Sequence, residues 1–287
     1  MSKFWTIKEV LNWTTTHFQK KNISEARLSA ELLLCHLLKC KRLDLYLRFD
    51  QILTKHELTI YRDYIEQRLK HKPVQYILGE QEFMGLSFKI TPDVLIPRPE
   101  TEILVETVLA DLKSYKKAPL RILDAGSGSG VIGISIAYFF PNSRVVGIEI
   151  SKNALNVAKE NADLLGVKNC EFILADATKI DPHEVGTFDF VVTNPPYIPN
   201  MEKDLLSVQV RQFEPPQALF AGEDGLDFLK IFIPLARNLL IEQGKFYSEI
   251  GYNQKEPVYD LLNLNFFNNI SFIKDYLNFE RIVKAER

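Results

Sequence analysis

The chain predicts an α/β fold, an open and mostly parallel doubly wound sheet preceded by a small helical domain. Three observations predict it. From Leu120 onward, short apolar runs alternate with helical stretches, the pattern of strand–helix–strand units. The first of these runs leads directly into Gly126-Ser127-Gly128-Ser129-Gly130 and a helix, which is how folds that hold nucleotide-like cofactors begin. Residues 1–75, by contrast, carry helix-capping signatures and helical spacing without a strand pattern.

Composition sets outer bounds on function. The 287 residues are 46% apolar and 25% charged, enough for a sizeable core. A net charge of −2 argues against a generic polyanion binder, so no stable nucleic-acid binding is expected. The three cysteines, Cys35, Cys40 and Cys170, form no CxxC pair, and the five histidines are scattered, so we expect free thiols and no metal site. Met1 to Thr6 lacks the apolar core of a signal peptide, and Val131 to Phe140 is about half as long as a membrane span requires. These features lead to the expectation of a cytoplasmic protein with no membrane partner.

The helices of residues 1–75 are read from their starts. Thr6 and Glu9 form a capping box before Val10, Trp13, His17 and Phe18. Ser24 is expected to open a second helix, with Leu28, Leu32 and Cys35 on one face and Leu33 and Leu37 broadening it. Thr54 and Glu57 repeat the capping signature before Leu58, Tyr61, Ile65 and Leu69, and Pro73 is expected to end that helix. Residues 76–98 follow as a β-hairpin, Phe83 to Ile90 with a turn at Gly85, and a proline-rich linker. The main α/β domain then occupies 99–287, opened by a helix running to about Lys113.

Within that domain, strands are predicted at Leu120–Asp124, Arg144–Ile150, Cys170–Ala175, Phe188–Thr193 and Lys245–Ile250, with a closing pair near Phe272 and Arg281. Helices are predicted to Phe140, from Ser151 to Gly166, and from about Asp224 to Glu242. Glu149, at the end of the second strand, can accept hydrogen bonds from both ribose hydroxyls of an adenosine cofactor. Gly128 to Gly133 also fits the dinucleotide pattern, so a nicotinamide dehydrogenase stays open at this point. The segment from Ile198 to Gly222 shows no clear period and reads as a substrate-facing loop containing Arg211 and Glu214.

The fourth strand ends in Thr193-Asn194-Pro195-Pro196-Tyr197, at the edge where open parallel sheets bind ligands. This stretch suits chemistry on a planar nitrogen. An amide or amino nitrogen on an sp² centre is a poor nucleophile because its lone pair is delocalised. Asn194 Oδ1 and the Pro195 carbonyl offer two acceptors for one NH₂ group, and the paired prolines stiffen the backbone that carries them. Tyr197 can stack on a planar group. Asn194, Pro195 and Tyr197 are therefore the catalytic candidates.

Asp124 before the glycine loop gives Asp-x-Gly-x-Gly-x-Gly, which resembles motif I of Rossmann-like methyltransferases. Taken with Asn194 to Tyr197, Ile96 to Glu102, Phe213-Glu214-Pro215, Gly222 to Leu226 and the helical first domain, the whole chain resembles the release factor N(5)-glutamine methyltransferases, the HemK/PrmC family. The resemblance implies a class I S-adenosylmethionine-dependent methyltransferase domain with a seven-stranded sheet whose last strands are antiparallel. It implies S-adenosyl-L-methionine as donor and the Gly-Gly-Gln glutamine of class 1 peptide chain release factors as acceptor. By position, Asp124, Gly126, Ser127, Gly128, Ser129, Gly130, Glu149, Asp176, Ala177 and Asn194 fall on the cofactor side, while Asn194, Pro195, Pro196 and Tyr197 frame the substrate. Glu149 stands where the family more often has Asp, and Ala177 where an aromatic can stack on adenine. The competing readings are the same chemistry on a ribosomal-protein glutamine, whose enzymes typically read Pro-Arg-Ser-Pro at Pro97 to Glu100, or on a nucleic-acid amino group.

Overall fold

The computed structural model describes residues 4–115 and 119–287. Met1 to Lys3, on which the leader expectation partly rests, lie outside the described residues. The chain divides into two compact units, one reaching to Gly79 and including Ser207–Phe213, the other comprising Glu80–Leu206 and Glu214–Arg287.

The first unit opens with α1 (Ile7–Lys20). Thr6 Oγ1 accepts the Glu9 N–H and the Glu9 carboxylate accepts the Thr6 N–H, the predicted capping box. In α2 (Ala26–Leu38), the expected start at Ser24 is corrected. The helix is entered through Glu25 in the left-handed conformation, φ 49°, with no side-chain cap. Leu33 and Cys35 are buried as expected, together with Ala26, Ala30 and Leu34, while Leu32 and Leu37 are partly buried against the same core and Leu28 is only half-buried. Glu31 lies on the same side, fully buried and held by Arg27 at 2.6 Å and Arg42 at 2.6 Å, with the Tyr46 hydroxyl donating as well. A carboxylate so well satisfied can sit inside.

Next come α3 (Arg42–Leu47), α4 (Lys55–Leu69) and α5 (Val74–Leu78). Thr54 and Glu57 cap α4 as predicted. The expectation that Pro73 ends α4 is corrected: α4 stops at Leu69, and Pro73 instead stands at the N-cap of α5, where a missing N–H costs nothing. Leu11, Phe18, Leu33, Leu34, Tyr61 and Ile65 form this unit's core.

The second unit begins with the predicted hairpin, β1 (Glu80–Phe83) and β2 (Leu86–Lys89), turning through Met84 and Gly85 at positive φ. Then follow α6 (Pro99–Leu112), β3 (Leu120–Ala125), α7 (Val131–Phe139), β4 (Ser143–Glu149), α8 (Lys152–Leu164), β5 (Cys170–Leu174), α9 (Pro182–Val185) and β6 (Phe188–Thr193). After α10 (Val208–Phe213), which clusters with the first unit, come α11 (Asp227–Leu239), β7 (Leu240–Glu249), α12 (Lys255–Leu264), β8 (Asn268–Lys274) and β9 (Glu280–Glu286). The sheet order is β5-β4-β3-β6-β7-β9-β8. Strands β3 to β7 pair in parallel, and β9 runs antiparallel to both β7 and β8, so the seven-stranded sheet with antiparallel last strands is present as expected.

Two expectations here need correction. The helix placed at 224–242 is shorter, because Asp224 Oδ1 turns back to the Leu226 N–H and Gly225 takes φ +75°, delaying the start to Asp227; at the far end Leu240 already pairs with Phe188. The segment Ile198 to Gly222 is also not a bare loop. It holds short 3₁₀ turns at Asn200–Leu205 and Pro216–Ala218, with α10 between them.

Candidate active site

The parallel strands bring their carboxyl ends to one edge, and the chain leaving each end helps enclose a cavity of about 220 Å³ that opens to solvent. Gly126 to Ser129 follow β3, Glu149 ends β4 with Ile150 after it, Asp176 and Ala177 follow β5, and Asn194 to Pro196 follow β6; all line it. The segment before α6 closes another side with Asp93, Leu95 and Pro97, and Thr101 joins from the helix itself. Of the predicted site residues, Asp124, Gly130 and Tyr197 are not on the wall.

Asp124 is fully buried. Its Oδ2 accepts the Gly133 N–H at 2.9 Å, and its Oδ1 is buried without a hydrogen-bond partner. Burial pushes this carboxyl up to about 7, against the pull of the Gly133 N–H. The loop it precedes is tied up internally. Gly126 and Ser127 donate to the Ile148 carbonyl at 2.8 and 3.0 Å, Gly130 donates to Ser127 at 2.8 Å, and Gly128 donates to Glu149 Oε2 at 2.8 Å. A dinucleotide's pyrophosphate binds to free N–H groups at such a loop and helix start. Here Gly126, Ser127, Gly128 and Gly130 donate within the chain, and the Gly133 N–H in the first turn of α7 goes to buried Asp124, which leaves fewer donors for a pyrophosphate.

The same features fit S-adenosylmethionine, which has no phosphate. Gly128 has φ +56°, and a Cβ there would meet no protein atom within 4 Å, so its backbone borders open space. Glu149 Oε1 accepts from the Ser151 N–H and Oε2 from the Gly128 N–H, each at 2.8 Å, which leaves a lone pair on each oxygen for a ribose hydroxyl. Ile150, Ala177 and Phe228 give the wall apolar surface for a base. Asp176 is drawn below the usual carboxylate range by Lys179 and by the Thr178 hydroxyl and N–H, so it remains an anion on the rim.

Asn194 is fixed from behind. Its Nδ2 donates to Thr101 Oγ1 at 3.1 Å, and Thr101 Oγ1 donates to Glu249 Oε2 at 2.7 Å. Tyr197 Oη donates to Glu249 Oε1 at 3.2 Å, so the ring expected to stack on a substrate is tethered by its hydroxyl to the end of β7. Gln254 Nε2 donates to the Tyr197 carbonyl at 3.1 Å and to the Gly225 carbonyl at 3.2 Å. A Cβ on Gly225 would lie 2.2 Å from the Tyr197 carbonyl oxygen, which is why the Gly222-to-Leu226 turn needs glycine there. Arg98 pairs with buried Glu214 at 2.5 Å, joining the segment before α6 to the residues after α10. Sequence reasoning missed Glu249 and Gln254 altogether. Glu249 carried a usable signal, an acid at the carboxyl end of an apolar strand, the same signal that marked Glu149.

Comparison with known proteins agrees with this geometry. Residues 9–79 match the family model described as the PrmC N-terminal domain, and residues 116–257 match the one described as a methyltransferase domain. The chain is 38% identical to the release factor glutamine methyltransferase of Geobacter sulfurreducens, over 98% of this chain and 96% of that one. It is 39% identical to the protein of the same name from Chlorobaculum tepidum, over 97% and 96%. Among solved structures, the catalytic domain of hMettl16 is similar with a TM-score of 0.53 at 17% identity, covering 70% of this chain and 75% of that one, a likeness of fold alone. Identity of this level across nearly the full length of both proteins, on a sheet and cavity of this form, means that the chain belongs to the release factor glutamine methyltransferase family.

Proposed function

We propose that this chain methylates the side-chain amide nitrogen of the glutamine in the Gly-Gly-Gln loop of class 1 peptide chain release factors. The observation that carries the reading is Asn194, held through its Nδ2 by Thr101 on the wall of a cavity that fits S-adenosylmethionine. The bound donor supplies an electrophilic methyl group on a sulfonium. The protein's part is to make a poor nucleophile reactive and to aim it. Asn194 Oδ1 and the Pro195 carbonyl accept the two amide hydrogens of the glutamine, which raises electron density on its nitrogen and turns the lone pair out of conjugation. Pro196 lines the acceptor side with Tyr197 behind it, and Gly126 to Ser129, Glu149, Asp176 and Ala177 line the donor side, with Asp124 and Gly130 supporting the loop from behind. Orientation of this kind is worth up to about 7–11 kcal/mol in well-arranged systems. Once methylated, the nitrogen is acidic enough to lose its proton without a dedicated base, which suits a loop that has no histidine.

The first unit is proposed to grip the protein substrate. Among the described residues no helix is long and apolar enough to cross a membrane, and no group of three or more potential ligands could hold a metal ion.

The test offers purified release factor, ribosomal proteins and DNA to the enzyme with a labelled methyl donor, and locates the label by mass spectrometry. Label on the Gly-Gly-Gln glutamine is the expected result; label on a ribosomal-protein glutamine or a base would overturn the reading. Asn194→Ala should lower turnover by about 10²-fold or more while the thermal transition persists.

A further inference from the structure

Building on that reading, we propose that Thr101 and Glu249 are positioning residues that determine which end of the Asn194 amide faces the substrate. The argument comes from hydrogen-bond polarity along a buried row. Glu249 is 1% exposed and Thr101 2%. Burial pushes the Glu249 carboxyl up, while the Thr101 and Tyr197 hydroxyls and Arg281 draw it back down. As a carboxylate it can only accept, and it accepts one hydroxyl on each oxygen, Thr101 at 2.7 Å and Tyr197 at 3.2 Å. The single proton of Thr101 is thereby committed to Glu249. Thr101 Oγ1 then has only lone pairs to offer Asn194, so it accepts from Nδ2 at 3.1 Å and would repel Oδ1.

The two ends of an asparagine amide are nearly the same size, so packing alone does not choose between them. Polarity does. With Nδ2 turned to Thr101, Oδ1 is left as the acceptor on the cavity side. The reversed amide would present an NH₂ group to the glutamine NH₂, two donors facing each other, and the chemistry would stop. Thr101 sits in the first turn of α6, Asn194 follows β6 and Glu249 ends β7, so three separate elements hold one rotamer. Arg281 on β9 and Glu100 on α6 are the other charged groups that act on Glu249.

The experiment measures kcat and KM for release factor, and donor affinity by calorimetry, in the wild-type enzyme, T101V, T101S and E249Q. T101V keeps the shape but loses the acceptor, and should lower kcat about 100-fold while KM and donor Kd stay within about threefold. T101S restores the oxygen and should recover turnover to within about threefold of wild type. E249Q brings an NH₂ that can donate to Thr101, freeing the Thr101 proton for Asn194 Oδ1, and should lower kcat by at least about 10-fold. The proposal is overturned if T101V turns over normally, if T101S is no better than T101V, or if donor affinity falls by the same factor as kcat. Should T101V fail to fold, E249Q against the wild type decides by the same kcat and Kd criteria.

A second readout does not need the reaction. The Asn194 side-chain NH₂ resonances, identified by their loss in Asn194→Asp, should be protected from solvent exchange in the wild type and exposed in T101V; equal exchange in both would sink the idea. If wild-type enzyme methylates no glutamine, the proposed function fails, while the exchange result still reports on the amide.

Discussion

Asp124 shows how one buried carboxyl can shape the pH response of the whole fold. Burial holds it at about 7, well above its ordinary 3.8. Between roughly pH 4 and pH 7 the native chain keeps a proton that the unfolded chain has released, so this group's contribution to stability falls as pH rises. Asp124→Asn keeps an acceptor for the Gly133 N–H and removes the titration. Its melting temperature relative to wild type should therefore improve between about pH 5 and about pH 8, as read by calorimetry; a constant difference would contradict this. At this scale the sequence was legible wherever chemistry is contiguous. Asn194 to Tyr197, the glycine loop and Glu149 announced themselves as short motifs. The partners that orient Asn194 did not, because Thr101 lies 93 residues before it and Glu249 lies 148 residues after Thr101. Only the folded sheet puts them in contact.

Among the elements, α8 does more than cover the sheet. Asn161 on this helix accepts the Lys89 N–H at 2.7 Å and donates to the carbonyls of Lys89 at 3.1 Å and Ser129 at 2.9 Å, pinning both the hairpin and the glycine loop. Asn161→Ala leaves those groups unpaired and should cost at least about 1–3 kcal/mol of stability. Because one of them belongs to the loop, donor affinity should fall as well; a lower melting temperature with unchanged donor Kd would show that the clamp does not reach the cavity. Element boundaries were readable where local chemistry dictates them, as at the capping boxes of Thr6 and Thr54. They were missed where tertiary contacts decide. The buried side of α2 includes Glu31, held there by its ion pairs with Arg27 and Arg42, and α12 buries only Val258 and Leu262, too few positions to show a period.

Across the whole molecule, charge is unevenly shared. Residues 1–79 carry fourteen lysines and arginines against eight acids, a net of +6, so the remainder is −8 and together they give the overall −2. A basic first unit suits an acidic face on a protein substrate, and attraction of that kind weakens with salt. Deleting residues 1–75 should raise KM for release factor and flatten its dependence on ionic strength, with donor affinity kept; loss of donor binding to the same degree would indicate a folding role instead. The alternation of strands and helices made the parallel half of the sheet readable from the residues. The antiparallel end came from family resemblance, since a strand's direction depends on partners that its own residues do not name.

The row that holds Asn194 also bears on when the protein becomes competent during synthesis. The donor-facing strands β3, β4 and β5 lie in the first two thirds of the chain, but Glu249 is the last residue of β7 and is opposed in register by Ile282 of β9. A nascent chain that already has its glycine loop and Asn194 still lacks the strand pairing that fixes the amide. If Thr101 and Glu249 orient Asn194 as proposed, a chain that ends before β9 lacks the Glu249–Ile282 pairing behind that amide and should transfer methyl groups poorly even where it still binds the donor.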